Sequence, residues 1–298
     1  MEITHEGFIQ TARKNGLNLD ETTIVLANIG LDFQVALGTD IKGNQWVLRI
    51  PRRKDAFLKT KSEKKILNKL ASSDLPFEVP NWEFYSEDLI AYQSVAGDPA
   101  VTTDADTQEN HWIFDENNVP SSYIQSLGQV LAALHAVADS SEINSGKISN
   151  IFREDMKLRM DKVNKQYEVN KSLWLRWQKW IEDESMWPQK AGFIHGDMYP
   201  GHTLVNEHFD VVGMIDWTEA KIGDISNDFT AFYMLFGEKA LEKLINAYKN
   251  SGGYTWPKMK EHIIELLSTQ AITLAEFGES AGLDEYKEIA KEMFKQGN

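Results

Sequence analysis

Four side chains able to move protons or hold a metal ion, His195, Asp197, His202 and Asp216, fall in one short stretch, GFIHGDMYPGHTLVNEHFDVVGMIDW, from Gly192 to Trp217. Both ends of the stretch are apolar and its middle is polar. Asp197 follows the apolar pair Phe193-Ile194, and His202 comes five positions later, where the chain re-enters apolar TLV. NEHFD has turn composition and returns the chain through VVGMI to Asp216. A hairpin draws its two ends together, so Asp197, His202 and Asp216 are expected around one small volume. Such a set suits a metal site, or an acid–base site with a metal beside it.

Phosphoryl transfer needs that combination. One carboxylate orients the attacking hydroxyl and takes its proton, while another holds Mg²⁺ against the triphosphate. The kinase pattern is an H-x-D loop, a metal ligand five residues after its Asp, and a second Asp about 20 residues on. Here the intervals from Asp197 are 5 to His202 and 19 to Asp216. One H-x-D is common by chance; the composite with flanking strands is specific. His195 and His135 read as satisfied core histidines rather than reactive groups.

The elements that must position this stretch divide the chain in two. TTIVLANIG (22–30), DFQVALG (32–38) and NQWVLRI (44–50) are β-branched and apolar, with turn-forming TDIKGN between the last two. A helix is expected over 56–70, and two further strands over 77–97. Beyond these, helices are expected from a capping-box pattern at Ser122 and Gln125, over 172–184 with Trp174, Trp177 and Ile181 on one face, and near 226–236, 238–249, 257–276 and 284–295. Gly97 and Pro99 mark a connector. The fold class is therefore α+β: a β-rich lobe over 1–94 and a larger α-rich lobe over 95–298, with the hairpin as an island of short strands in the second.

Net charge is −14, and almost all of it lies in the second part: residues 1–94 sum to −1 and residues 95–298 to −13. Such acidity argues against nucleic acid as a partner and favours a cationic ligand, or simply solubility. Cysteine is absent, which removes disulfides, thiolate metal sites and a Cys nucleophile. No apolar run approaches the roughly 20 residues of a membrane span, and the N-terminal segment lacks a signal-peptide core. A cytoplasmic monomer that does not engage membranes is expected.

HGDMYPGHTLV together with IDWTEAKIGDISND resembles the antibiotic-kinase family that includes aminoglycoside and macrolide phosphotransferases, which share a protein-kinase-like fold. WVLRIPRR and AYQSVAGDPA also suit that family's positions, so the resemblance spans nearly the whole chain. Within it the likeness is greatest to macrolide 2′-phosphotransferases, where it implies phosphate transfer from GTP to the 2′-hydroxyl of the desosamine sugar. Carried over residue by residue, Asp197 becomes the catalytic base and Asp216 the principal Mg²⁺ ligand. His202 stands where the wider family has Asn; it suits the macrolide branch, although imidazole matches Mg²⁺ less well than oxygen does.

A kinase also needs a cation on the third strand, braced by a helix carboxylate. Arg49 in QWVLRIP and Glu63 in the following helix fit those places. No G-x-G-x-x-G is present, and Gly30 in NIGLDFQV sits where the phosphate-covering loop belongs. The purine edge is expected at the backbone of Tyr92, Gln93 and Ser94. For the acceptor, a large apolar molecule with one protonated amine, Tyr199, Asp228 and Phe232 are the candidates, with Phe232 in an aromatic stripe of a kind more often core than binding wall. Asp228 either meets the amine or braces the loop. Asp224 in IGDI resembles the family's structural Asp, which ties the catalytic loop to the next helix. The alternatives are a kinase of another small alcohol, such as an aminoglycoside, choline or a homoserine-like metabolite, and a catalytically dead nucleotide-binding protein, which would be expected to have lost Asp197 or Asp216.

Overall fold

A computed structural model describes residues 3–27, 32–104, 107–137 and 148–296. The elements begin with α1 (His5–Lys14), β1 (Leu19–Ala27), β2 (Phe33–Asp40), β3 (Gln45–Pro51), α2 (Lys54–Ala71), β4 (Phe84–Tyr85) and β5 (Ile90–Gln93). Next come β6 (Asp98–Pro99), β7 (Val101–Thr103), β8 (Asn110–Trp112), α3 (Ser121–His135), α4 (Ile148–Gln166), α5 (Lys171–Glu182) and β9 (Gly192–Ile194). The chain closes with β10 (Thr203–Val205), β11 (Val211–Met214), β12 (Lys221–Gly223), α6 (Asn227–Asn250), α7 (Met259–Ser268), α8 (Gln270–Ala281) and α9 (Asp284–Gln296). The expected division into a β-rich first part and an α-rich second part is present. By compactness the chain forms two units, Met1–Tyr123 with Pro200–Ala220, and Ile124–Tyr199 with Lys221–Asn298. In this grouping residues 95–123 and the hairpin fall with the first unit.

In the first unit an antiparallel sheet runs in the order β1-β2-β3-β5-β4. Period-two alternation decides its two faces. Trp46, Leu48 and Ile50 of β3 point to one side, where they form a core with Ala36, Leu89, Ala91 and the buried residues Phe8, Ile9 and Ala12 of α1. Helix α1, which the sequence reading does not anticipate, is capped by Thr4, whose hydroxyl accepts from the Gly7 N–H. The β2–β3 turn is held by Asp40, whose carboxylate accepts from the backbone N–H groups of Lys42 and Asn44 and from the Trp46 indole N–H. On the opposite face lie Val35, Leu37, Val47 and Arg49. A three-stranded sheet, β11-β10-β6, carries the hairpin.

In the second unit the core joins Met160 and Val163 of α4, Trp177, Trp180 and Ile181 of α5, Trp187, Ile272 and Ala275 of α8, and Phe294 of α9. Asn170 caps α5 by accepting from the Ser172 N–H. Helix α6 is broken at Gly237, which takes φ 74°, so the helices expected on either side of it are one element with a kink. The single helix expected over 257–276 is two, α7 and α8, meeting at Thr269. Ser122 does not open a capping box: it lies inside α3, and its hydroxyl donates to the His208 carbonyl.

Candidate active site

Arg49 leans from β3 onto α2, where its Nη1–H donates to Glu63 Oε1 at 2.8 Å. The guanidinium lies 4.5 Å from the ring centre of Phe33 and 5.5 Å from that of Trp82. Burial works against its charge, but Glu63, Tyr92 and Asp216 outweigh that and raise its pKa. Glu63 is nearly inaccessible; burial pushes its carboxyl up, and Arg49 opposes that only in part. An aromatic-flanked guanidinium keeps a planar fork of N–H donors in one orientation, which suits phosphate oxygens.

On the same face, Val25, Leu37, Val47 and Tyr92 stand opposite one another across four strands. Val25 is 61% and Leu37 45% exposed, while Tyr92 is buried and its phenol pushed up to about 12 by that burial. This gives a flat apolar strip, open to solvent at one end, two residues along β3 from Arg49. It suits the face of a purine, and the sequence reading missed it. The signal was there in the alternation of β2 and β3, which puts apolar residues on both faces.

The expected purine edge narrows. Ser94 N–H donates to the Gln45 carbonyl at 2.9 Å, and Tyr92 pairs with Val47 two residues earlier. Alternation along the strand therefore commits the backbone of Tyr92 and Ser94 to β3 and turns that of Gln93 the other way. The backbone of Gln93 therefore faces away from β3, while the N–H of Ser94 is already used by the sheet. The side chain of Gln93 donates to Glu83. Gly30 lies outside the described residues.

In the hairpin, Ile215 N–H donates to the His202 carbonyl, and His202 Nε2 lies 3.9 Å from Asp216 Oδ2. The turn Pro200–His202 is fixed from below: Thr203 Oγ1–H donates to the Pro200 carbonyl, and Tyr123 hydroxyl meets Thr203 Oγ1 at 3.0 Å. Asp216 is half exposed and adopts φ 63°, a left-handed conformation seldom taken by residues other than glycine. Thr218 donates to its Oδ1, so Oδ2 is the oxygen on the His202 side. No group of three metal-ligating side chains occurs among the described residues. The Asp216 carboxylate suits Mg²⁺ arriving with a nucleotide, because Mg²⁺ commonly takes one or two carboxylates and fills its octahedron with phosphate oxygens and water; the His202 imidazole is the poorer match.

In the second unit, β9 pairs with β12 and leads into His195-Gly196-Asp197. Gly192 must lack a side chain, since a Cβ there would come within 2.6 Å of Ile225 and 3.0 Å of the His135 carbonyl. The loop is pinned through its backbone: Asp228 Oδ2 accepts from His195 N–H at 2.8 Å, and Oδ1 from Gly196 N–H at 2.9 Å. His135 Nε2 adds a contact to Oδ2 at 3.1 Å. Burial alone would raise the Asp228 pKa, but His135, His195 and the Gly196 N–H hold it below the usual carboxylate value. Asp197 is exposed, with its N–H toward His195 Nδ1 at 3.4 Å.

Three expectations on the acceptor side change. Asp228 has no accessible surface and both oxygens are engaged, so it braces the loop and does not meet an amine. Asp224, expected to be that brace, instead accepts from Ser226 N–H and contacts His262 Nε2 at 2.7 Å. Phe232 is 3% exposed and packs edge-on against Phe236, which makes it core. Within the stripe Met234 is exposed, at 47%, while Tyr233 and Phe236 are half-buried. Tyr199 is half-buried.

The profile of the phosphotransferase enzyme family matches residues 23–262. A Bacillus subtilis (strain 168) protein known as uncharacterized protein YcbJ is 35% identical over 285 residues, covering 94% of this chain and 92% of its own. Among solved structures, macrolide 2′-phosphotransferase MphH from Brachybacterium faecium superposes with a TM-score of 0.88 at 31% identity, over 97% of both chains. A macrolide 2′-phosphotransferase type I gives 0.84 at 32% identity, over 99% of both. The kanamycin and GDP complex of an aminoglycoside phosphotransferase, at 17% identity and a TM-score of 0.71 over 99% of this chain and 98% of its own, shares the kinase-like fold.

Proposed function

The chain belongs to the phosphotransferase enzyme family, and from that premise we propose that it transfers the γ-phosphate of GTP to the 2′-hydroxyl of a macrolide's amino sugar. The observation that carries the reading is likeness over almost the full length, at about one residue in three, to two macrolide 2′-phosphotransferases. Asp197 accepts the proton of the attacking hydroxyl. The hydroxyl oxygen bonds to the γ-phosphorus, the bond to the β-phosphate oxygen breaks, and the nucleoside diphosphate leaves. Arg49, held by Glu63 and two rings, orients phosphate oxygens. The purine lies along Leu37 and Val47 and takes its polar contacts from the Gln93 backbone. Asp216 and His202 hold Mg²⁺, which when bound neutralises charge on the phosphates. In this reading residues 1–94 serve the nucleotide, residues 95–298 serve catalysis and the acceptor, Tyr199 lies beside the acceptor, and the protein acts as a monomer.

A second reading has one specific support: the net −13 over residues 95–298 favours an acceptor with several amines, as in aminoglycosides. The test sets erythromycin against kanamycin, each with GTP or ATP and Mg²⁺, and follows an added phosphate by mass. Phosphorylated erythromycin with GTP is expected. Phosphorylated kanamycin alone would replace the macrolide reading, and no phosphate on either would remove both.

A further inference from the structure

The brace on the catalytic loop does not end at Asp228. His135 Nδ1 meets the Tyr248 hydroxyl at 3.0 Å. Tyr248 is 1% exposed and lies near the C-terminal end of α6, more than fifty residues from Asp197 in sequence. Its ring is seated by Gly253, whose N–H donates to the Tyr248 carbonyl at 2.9 Å and where any Cβ would collide with Tyr248 Cε1 and Cζ. Tyr254 reaches back to the same region: its hydroxyl accepts from Gln189 N–H at 3.1 Å, just before β9.

We propose that Tyr248 is a positioning residue for the catalytic loop, acting through the tautomer of His135. The proposal rests on Asp197 being the base of a phosphotransferase. The Asp228 carboxylate only accepts, so the proton at its contact with His135 sits on Nε2, and the phenol proton of Tyr248 needs an acceptor of its own. His135 Nδ1 provides it, since a buried hydroxyl seldom goes unpaired. His135 then carries its proton on Nε2, where Asp228 Oδ2 receives it. Asp228 in turn holds the N–H groups of His195 and Gly196, the two residues before Asp197. A run of hydrogen bonds thus leads from the Tyr248 hydroxyl to the backbone under the catalytic carboxylate. Without the phenol, Nδ1 loses its donor, the ring is free to turn, and the loop loses one of the supports that fix its approach.

The experiment has a substrate-free arm and a kinetic arm. Long-range ¹H–¹⁵N correlation of the imidazoles in the unliganded full chain should show His135 protonated on Nε2 and bare on Nδ1; a proton on Nδ1 overturns the proposal. Tyr248→Phe, equal in bulk, should lower kcat about tenfold while leaving KM for nucleotide and acceptor within about twofold, as misplacement of a reacting group does. A kcat within twofold of the unaltered protein overturns it. Gly253→Ala keeps the hydroxyl but displaces the ring; should Tyr248→Phe not fold, Gly253→Ala must give the same split, and an unchanged kcat overturns the proposal equally. Basal nucleotide hydrolysis serves as a readout if neither antibiotic is accepted. Failure of the macrolide assignment and failure of the positioning role are therefore told apart.

Discussion

Replacing Arg49 by Met would leave Glu63 with 4% of its side chain accessible and without the guanidinium that it pairs with. Removing one partner of a buried ion pair costs about 3–5 kcal/mol, because the other charge stays desolvated. The lower end, about 3 kcal/mol, applies here, since Arg49 retains 16% exposure and water can follow. Loss of the contacts with Phe33 and Trp82 adds roughly 0.5–2 kcal/mol. Arg49→Met/Glu63→Leu removes both charges and should return to within about 1 kcal/mol of the original stability. Acidity separates the two variants further. Burial already raises the Glu63 pKa, and Arg49 is what opposes it, so Arg49→Met raises it more. An acid with a raised folded pKa binds more protons folded than unfolded. Stability then falls as pH rises from the ordinary carboxylate value through the folded one, and returns on acidification. Urea unfolding at neutral pH and near pH 5 should show Arg49→Met regaining stability in acid, with the double variant flat. Nucleotide titration completes the test: both variants should bind weakly. A double variant that recovers nucleotide affinity along with stability would make Arg49 a purely structural cation. A single variant as stable as the original would refute the burial argument itself.

Asp197→Ala should leave unfolding unchanged, because the side chain is exposed, and lower turnover by at least about a hundredfold; turnover near the original level would remove Asp197 from the chemistry. His202→Asn should keep substantial activity, since an amide oxygen suits Mg²⁺; a folded but inactive variant, judged by circular dichroism and assay together, would show that imidazole is needed for something else. Asp228→Asn should destabilise the fold and also flatten its acid limb. The Asp228 pKa is lowered on folding, so its contribution is present above the unfolded value and lost as pH falls through the folded one. An unaltered acid limb in thermal melts below about pH 4 would contradict that.

Much of this was legible because it is local. Alternation in β2 and β3, the turn at Asp40–Asn44, the Gly237 break and the hairpin from Thr203 to Met214 each follow from a few neighbouring residues. Glu63 was found as the partner of Arg49 because it is the one acidic residue over 56–70. What went wrong was the role of residues whose neighbours are distant in sequence. Asp224 and Asp228, four positions apart, read alike; which one braces the loop depends on His135, nearly a hundred residues away, and on His262 beyond. Phe232 and Met234 are both apolar members of one helix, and only packing buries the first and exposes the second. Strands β6 to β8 escaped notice because such short elements carry little periodicity of their own, whereas α1 does carry a helical stripe, Phe8, Ile9 and Ala12, behind its Thr4 cap.

The sequence by itself determined the fold class, the chemistry-bearing types and their intervals, since hydrophobic period and residue identity are properties of the chain. Tertiary structure alone decided which carboxylates are spent inside the protein and which face solvent. Burial and the count of available donors are set by what packs against a group, and for Asp228 that is two backbone N–H groups and a histidine from other parts of the chain.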